Sequence, residues 1–427
     1  MTSPARSFAV AALACLLPLA RGSAQTPSRY LYVWAGPSDS VATSHATHAG
    51  HTAGTATAAP SDFLAVIDLR PDAPNGRYGR MIATVPVGVS RTVPHHAEQD
   101  FAAGRRWFAS GFGGGQLFLF DAHDRARPRL AGRVDSVPGL QQPHSLARLP
   151  NGNVVATVQF GPRGVPGRPG GLVELDDDGR VVRTASAADP AFPTAAVRSY
   201  GITVAPQVDR IVTTSSPMDT ERVADVVQIW RASDLTLLKT IELPPRADSA
   251  HRDPFEVRTL TDGRSVMLNT WRCSFWRVAD LETASPRVEL VLSAKPSPDA
   301  GDGCAVPVVV GDWWIMPISY QHRVVVLDVS RPERPRIVSS LATDSTFFPH
   351  WSAADPGSDR IVITEQGDGA PRVLMARLDR RTGQLTWDER FRDAGATRPG
   401  LDFARVALPG GTRGSAMPHA AVFVPER

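Results

Sequence analysis

The sequence predicts an all-β chain: a seven-bladed β-propeller closed by strands from its two ends. Three observations predict it. One short motif recurs, at Pro94-His95-His96, Pro143-His144, Pro349-His350 and Pro418-His419, each time opening an apolar strand. With His144 as a ruler, units open at His96, His144, Tyr200, Phe255, Cys304, His350 and His419. Their spacing, 46 to 56 residues, is roughly one propeller blade throughout, with a longer gap of 69 before the last. Finally, short runs rich in Val, Ile and Leu alternate with Gly, Pro and Asp, and no stretch has convincing helical amphipathicity.

Taken in order, residues 30–34, 63–69 and 81–87 read as three strands lacking a first strand. Residues 420–424, after His419, read as that missing strand, so both ends of the chain build blade seven. This removes a free sheet edge. Blade one opens at His96 and reaches its turn at Gly104; its third strand is residues 117–121, ending at Asp121. Blade two runs from His144 through the Pro150-Asn151-Gly152 turn to residues 154–158, then to residues 172–176. Tyr200 opens blade three, with Pro206 six residues on; Phe255 opens blade four, with Gly263 eight residues on. Cys304 opens blade five with the loosest match. Its later segment, Asp328 to Pro335-Arg336-Ile337, copies Asp121 to Pro128-Arg129-Leu130. Blade six runs from His350 through Pro356-Gly357 to residues 361–364.

Three stretches read as loops on this frame: an insert at 37–60, and residues 162–171 and 392–416. Loops on a rigid ring shape a pocket mouth. His45, His48 and His51 recur every third residue of the insert. They read either as a metal-collecting tract or as a tolerated polar loop.

The 427 residues carry a formal net charge of +3, which gives no basis for a nucleic-acid or acidic-membrane partner. Residues 1–24 read as a secretory signal: Arg6, an apolar core from Phe8 to Ala20, then Gly22-Ser23-Ala24. That core is too short and interrupted for a bilayer span, which needs about 20 residues. The expectation is a single domain, 25–427, exported to the periplasm or secreted. Cys273 and Cys304 then remain, and an even pair in an oxidising compartment reads as a disulfide. The alternative is a thiol pair beside a metal.

In a propeller the first strand of each blade lines the central channel, so equivalent openings converge on the axis. His350, His419, His96 and His144 come from four consecutive blades, six, seven, one and two. Imidazoles on one arc at one height predict a metal site. A lone Pro-His reads as a structural habit; four in register do not. In an extended strand His95 points away from His96 unless the chain bulges at Pro94. Tyr200 and Phe255, with Cys304 and Gly303, are expected to line the opposite arc as an apolar wall for a small uncharged substrate. Glu98, Glu256 and Arg258 are candidate groups for orienting an imidazole or moving a proton, or members of buried salt bridges. No G-x-S-x-G, H-E-x-x-H or phosphate-binding loop occurs.

The order of these features resembles the selenium-binding protein family, whose bacterial members include methanethiol oxidases. The residues that carry the resemblance are Tyr32-Val33-Trp34-Ala35-Gly36, Phe63-Leu64-Ala65-Val66-Ile67-Asp68, His95-His96, Pro143-His144-Ser145, Pro254-Phe255-Glu256-Val257-Arg258, the Asp328 to Pro335-Arg336 segment and His419. The resemblance implies a propeller and a copper-dependent oxidase. Such an oxidase turns a small thiol, oxygen and water into aldehyde, sulfide and peroxide. The family's histidines fall on His95, His96, His144 and His419; His350 is added by the repeat argument. The family's cysteine-bearing loop after the double histidine is missing, because residues 97–112 contain no cysteine. The expected function is therefore an exported metal-dependent oxidase of a small molecule. Copper is the expected metal, with iron and zinc as alternatives; the expected partners are a small-molecule substrate and oxygen. The other reading is a non-catalytic metal-binding or protein-interaction propeller. A lactonase-like hydrolase with a calcium-type site ranks last, since it needs carboxylates and Asn at the channel mouth.

Overall fold

The computed structural model describes residues 26–38, 60–70, 78–165, 167–193, 195–218, 222–249, 251–295, 301–365, 367 and 369–425. Residues 1–24, expected as a secretory signal, and His45, His48 and His51 with most of the insert, lie outside the described residues. Antiparallel sheets, one per predicted unit, form the seven blades of a propeller. Blade one is Pro94–Ala97, Trp107–Gly111, Gln116–Asp121 and Arg129–Val134, in that order from the inside outward. Blade two (Gln141–Arg148, Val154–Phe160, Gly171–Leu175, Val181–Ser186) and the next two blades repeat it. In blade seven the C-terminal strand Ala416–Val424 lies innermost and pairs with Tyr30–Pro37, Tyr30 opposite Val424. Phe63–Asp68 and Arg80–Pro86 complete that sheet.

The middle strands are buried on both faces because the blades stack on one another. One apolar cluster joins blades one and two (Phe108, Leu119, Val154, Val173). Another joins two and three (Val155, Leu172, Ile211, Trp230), and so on around the ring. Closure has a polar lock. Asp355 of blade six accepts from Ser28 (2.8 Å) and from Arg360 (2.6 Å), while Arg360 donates to the Leu69 carbonyl (3.1 Å).

Two expectations are corrected. Blade five does not open as a regular strand at Cys304. Its inner strand is only Val308–Val310, and the preceding chain leans across to blade six. There the Val306 N–H donates to the His350 carbonyl (2.9 Å) and Ser352 N–H returns to Val306 (3.1 Å). Nor is 392–416 simply a loop: Leu401–Asp402 adds to the blade-six sheet, and Val406–Ala407 pairs with Arg413–Gly414.

A bulge recurs where the inner strands open. Ladder register shifts between Pro94 and Ala97, Pro143 and Leu146, Ser199 and Ile202, Pro254 and Glu256, and Pro349 and Ser352. Proline suits this place because it has no N–H to lose from the ladder. Val93, just before Pro94, sits at φ 55°, an uncommon conformation for a β-branched residue, which turns the chain into the bulge.

Opposite the bulge, the second strand carries a polar residue in an apolar run. Thr157 accepts from the Ser145 N–H (3.0 Å) and donates to the Tyr200 carbonyl of the next blade (2.6 Å). Thr214 likewise accepts from Gly201 N–H (2.9 Å) and donates to the Phe255 carbonyl. Asn269 donates to the Cys304 carbonyl (2.7 Å) and Thr364 to the His419 carbonyl. Thr157 and Thr214 each tie a bulge to the opening residue of the neighbouring blade, while Asn269 and Thr364 reach that residue from their own second strands, so neighbouring ring positions are linked from blade to blade.

Candidate metal centre

His95, His96, His144, His350 and His419 all lie at the opening of inner strands and all are buried. The bulge at Pro94 breaks the alternation, and the rings of His95 and His96 stack on the same side, 4.6 Å apart and 13° from parallel. His144 stands 4.2 Å from His96 and 4.7 Å from His95, centroid to centroid. His419 lies 4.3 Å from His95, and His350 4.7 Å from His419. The five imidazoles thus form one cluster. Its tightest part is His95, His96 and His144, each with a ring nitrogen within 4.8 Å of the others.

Hydrogen bonds orient this trio. His95 Nε2 is 2.9 Å from His144 Nε2. The Ser145 hydroxyl lies 2.8 Å from His96 Nδ1 and 2.9 Å from His144 Nδ1. Glu256 Oε1 lies 3.7 Å from His96 Nδ1, while Oε2 accepts from Arg258 at 2.7 Å. Burial first, then the neighbouring imidazoles of His144, His419 and His350 and the Arg258 guanidinium, hold His96 well below the ordinary histidine range. It is a neutral nitrogen base. Burial pushes the Glu256 carboxyl up, and Arg258 pulls against that. Burial also pushes the Tyr200 phenol well up, with Glu256 adding to it.

The aromatic wall is present but closer than expected. Tyr200 packs 3.9 Å from His144 and Phe255 4.3 Å from Tyr200, so the wall touches the imidazoles rather than facing them across the channel. Cys304 is not part of it: Cys273 and Cys304 form a disulfide, Cα atoms 5.0 Å apart, buried in the core between blades four and five. Glu98 is in a salt bridge, accepting from Arg148 at 2.8 Å and from the Phe108 N–H at 3.0 Å. Arg258 buttresses Glu256 and donates to the Pro307 carbonyl (3.1 Å).

Sequence reasoning missed four neighbours. Ser145 links two imidazoles, Phe112 lies 5.5 Å from His95, Trp351 lies 5.3 Å from His96, and Trp271 continues the wall 5.0 Å beyond Phe255. Ser145 and Trp351 were readable in principle, since each directly follows a ring histidine. Phe112 and Trp271 come from turns after second strands, where no period points at the axis.

The residues fit a divalent ion. Imidazole nitrogens bind such ions at about 2.0–2.1 Å, and two of them on one ion at right angles stand about 2.9 Å apart. His96 Nε2 and the Tyr200 hydroxyl oxygen are buried without a hydrogen-bond partner, and Glu256 places a carboxyl group beside the cluster. A carboxylate behind a histidine is the usual support of a metal-bound imidazole. The protein is thus defined as a seven-bladed propeller with a buried polyhistidine cluster at one end of its channel.

No family model and no curated protein matches the chain. Solved structures do. A hypothetical selenium-binding protein from Sulfolobus tokodaii is similar over 92% of this chain and 93% of its own, with a TM-score of 0.67 and 13% identity. A putative 6-phosphogluconolactonase from Bacteroides uniformis covers 93% of this chain and 100% of its own (TM-score 0.60, 12% identity). The periplasmic gluconolactonase of Pseudomonas aeruginosa covers 91% and 99% (TM-score 0.57, 14% identity). At these identities the likeness is one of fold.

Proposed function

We propose that the chain is an exported, copper-dependent oxidase of a small molecule, similar to the methanethiol oxidases. The observation that carries this is the convergence of His95, His96 and His144, with the partnerless Nε2 of His96 among them. Copper would supply the one-electron chemistry that oxygen needs; iron and zinc also suit imidazole. His95, His96 and His144 would hold the ion, with His350 and His419 beside them. Glu256 would brace His96, and Tyr200, Phe255 and Trp271 would exclude water and hold an apolar substrate. For a small thiol the balance is one thiol, one oxygen and one water giving aldehyde, sulfide and peroxide. The disulfide agrees with an oxidising compartment, periplasmic or extracellular. Among the described residues the metal-binding cluster is imidazole rather than carboxylate, which favours a redox ion over the calcium-type site of a lactonase.

The test is metal analysis of the purified protein, followed by oxygen uptake with small thiols. His144→Ala and His419→Ala are expected to lose both copper and turnover. Full turnover in a copper-free variant would dispose of the oxidase. Bound copper with no turnover on any small substrate would favour the non-catalytic reading.

A further inference from the structure

We infer that Ser145 is a positioning residue of the histidine centre: its one hydroxyl couples the tautomers of His96 and His144, and Glu256 sets the direction of that coupling. The consequence for a bound ion rests on the metal reading above; the tautomers themselves do not.

A neutral imidazole carries one N–H, and a serine hydroxyl has one proton to give and two lone pairs to accept with. Ser145 Oγ contacts both Nδ1 atoms, at 2.8 and 2.9 Å, and so cannot donate to both. The 2.9 Å contact between His95 Nε2 and His144 Nε2 likewise needs one N–H. With the hydroxyl proton given to one of the two rings, the four groups form a chain, His96–Ser145–His144–His95, that can run two ways. In one, His96 Nδ1–H donates to Ser145, Ser145 donates to His144 Nδ1, and His144 Nε2–H donates to His95. His96 Nε2 is then a bare lone pair. In the other, every donor reverses, and His96 Nε2–H is buried with no acceptor.

One feature selects the first direction. Each direction leaves one ring N–H outside the chain, on His95 Nδ1 in the first and on His96 Nε2 in the second, so that count does not decide. Glu256 Oε1, which has no hydrogen-bond partner, lies 3.7 Å from His96 Nδ1 and favours the proton there. His96 is thus held as a nitrogen base ready for an ion. If His144 also binds through Nε2, its proton moves to Nδ1 and the Ser145 oxygen accepts from both rings. A hydroxyl can do this; a methyl cannot.

The experiment uses the full chain with 15N-labelled histidine, freed of metal by chelation. Long-range proton–nitrogen spectra, assigned with His96→Gln and His144→Gln, show which ring nitrogen carries the proton. His96 is expected as the Nδ1–H tautomer. Ser145→Ala should mix its tautomers and weaken Zn2+ binding, read by calorimetry, by ~10–100-fold; Ser145→Thr should restore both. In Glu256→Gln, Arg258 keeps the amide oxygen, the NH2 faces His96 Nδ1, and His96 should switch to Nε2–H. A wild-type His96 protonated on Nε2, or an unchanged tautomer pattern in Ser145→Ala, would overturn the inference. A wild type that binds neither Zn2+ nor Cu2+ would defeat the metal reading alone, with the tautomers still decided by the spectra.

Discussion

Replacing Thr157 with Val tests whether the interblade clasp holds the ring together. The side chain keeps its shape and loses only the hydroxyl, so packing changes little. Two buried groups are stranded: the Ser145 N–H, now 3.0 Å from a methyl position, and the Tyr200 carbonyl, formerly held at 2.6 Å. Thr157 and Tyr200 are fully buried and Ser145 nearly so, leaving water no easy substitute. An unsatisfied buried polar group costs about 1–3 kcal/mol, so two cost about 2–6 kcal/mol. Against a total stability of about 5–15 kcal/mol this is large. Urea denaturation followed by tryptophan fluorescence measures it, with Thr386→Val as control, because Thr386 is exposed and should shift by less than about 0.5 kcal/mol. Thr157 also carries the peptide that places Ser145 and His144, so metal affinity should fall in the same variant. A loss below about 0.5 kcal/mol with a normal metal site would refute the clasp as a source of stability or of order at the centre.

The disulfide closes a separation of 31 residues, and loop-closure entropy assigns it about 3–4 kcal/mol; the Cys273→Ala/Cys304→Ala double variant should lose that, and reductant should then have no further effect on its urea midpoint. Burial would raise the Asp355 carboxyl, but Ser358, the Arg360 guanidinium and Ser28 outweigh it and hold the carboxyl below its usual range. Its contribution is therefore present above the unfolded value of about 3.9 and is lost as pH falls through the lower folded value. Asp355→Asn should cost about 3–5 kcal/mol at neutral pH and flatten the acid limb of the stability curve; an acid limb identical to wild type would contradict the lock. If the centre binds copper as proposed, His350, which stands 6.4 Å from His96 and farther from the trio than His419 at 4.3 Å from His95, should be dispensable: His350→Ala should keep full copper stoichiometry and weaken affinity by about tenfold or less, measured by competition with a chelator.

Much of this architecture was legible because propeller blades are local. Proline, histidine and turn glycine stand at fixed offsets within one unit, and the same offsets found blade seven split between the chain ends. Convergence of His96, His144, His350 and His419 follows from that register alone. The clasp was legible only after the fact. Thr214, Asn269 and Thr364 each stand fourteen residues beyond Tyr200, Phe255 and His350, polar residues near the ends of otherwise apolar strands, but nothing local says what they reach. Blade five was misread because the Val306 pairing to blade six is a contact between units, which leaves no period within either. The nearness of Tyr200 to His144 was missed for a similar reason: ring diameter is a packing outcome, set by how closely seven sheets stack.

The bulge explains why one backbone serves both halves of the site. Strict alternation would send His95 and His96 to opposite faces; the register shift at Pro94 lets both rings face the cluster. The same shift occurs in blades three and four, where Tyr200 and Phe255 take the ring position. Imidazoles on one arc and aromatics on the other therefore arise by exchanging side chains within a common frame. The difference between a nitrogen-rich centre and its apolar wall lies in sequence at one repeated position, and its rigidity in the threonines opposite. A change at a ring position should then alter the chemistry with little effect on the fold, whereas a change at a clasp should alter both.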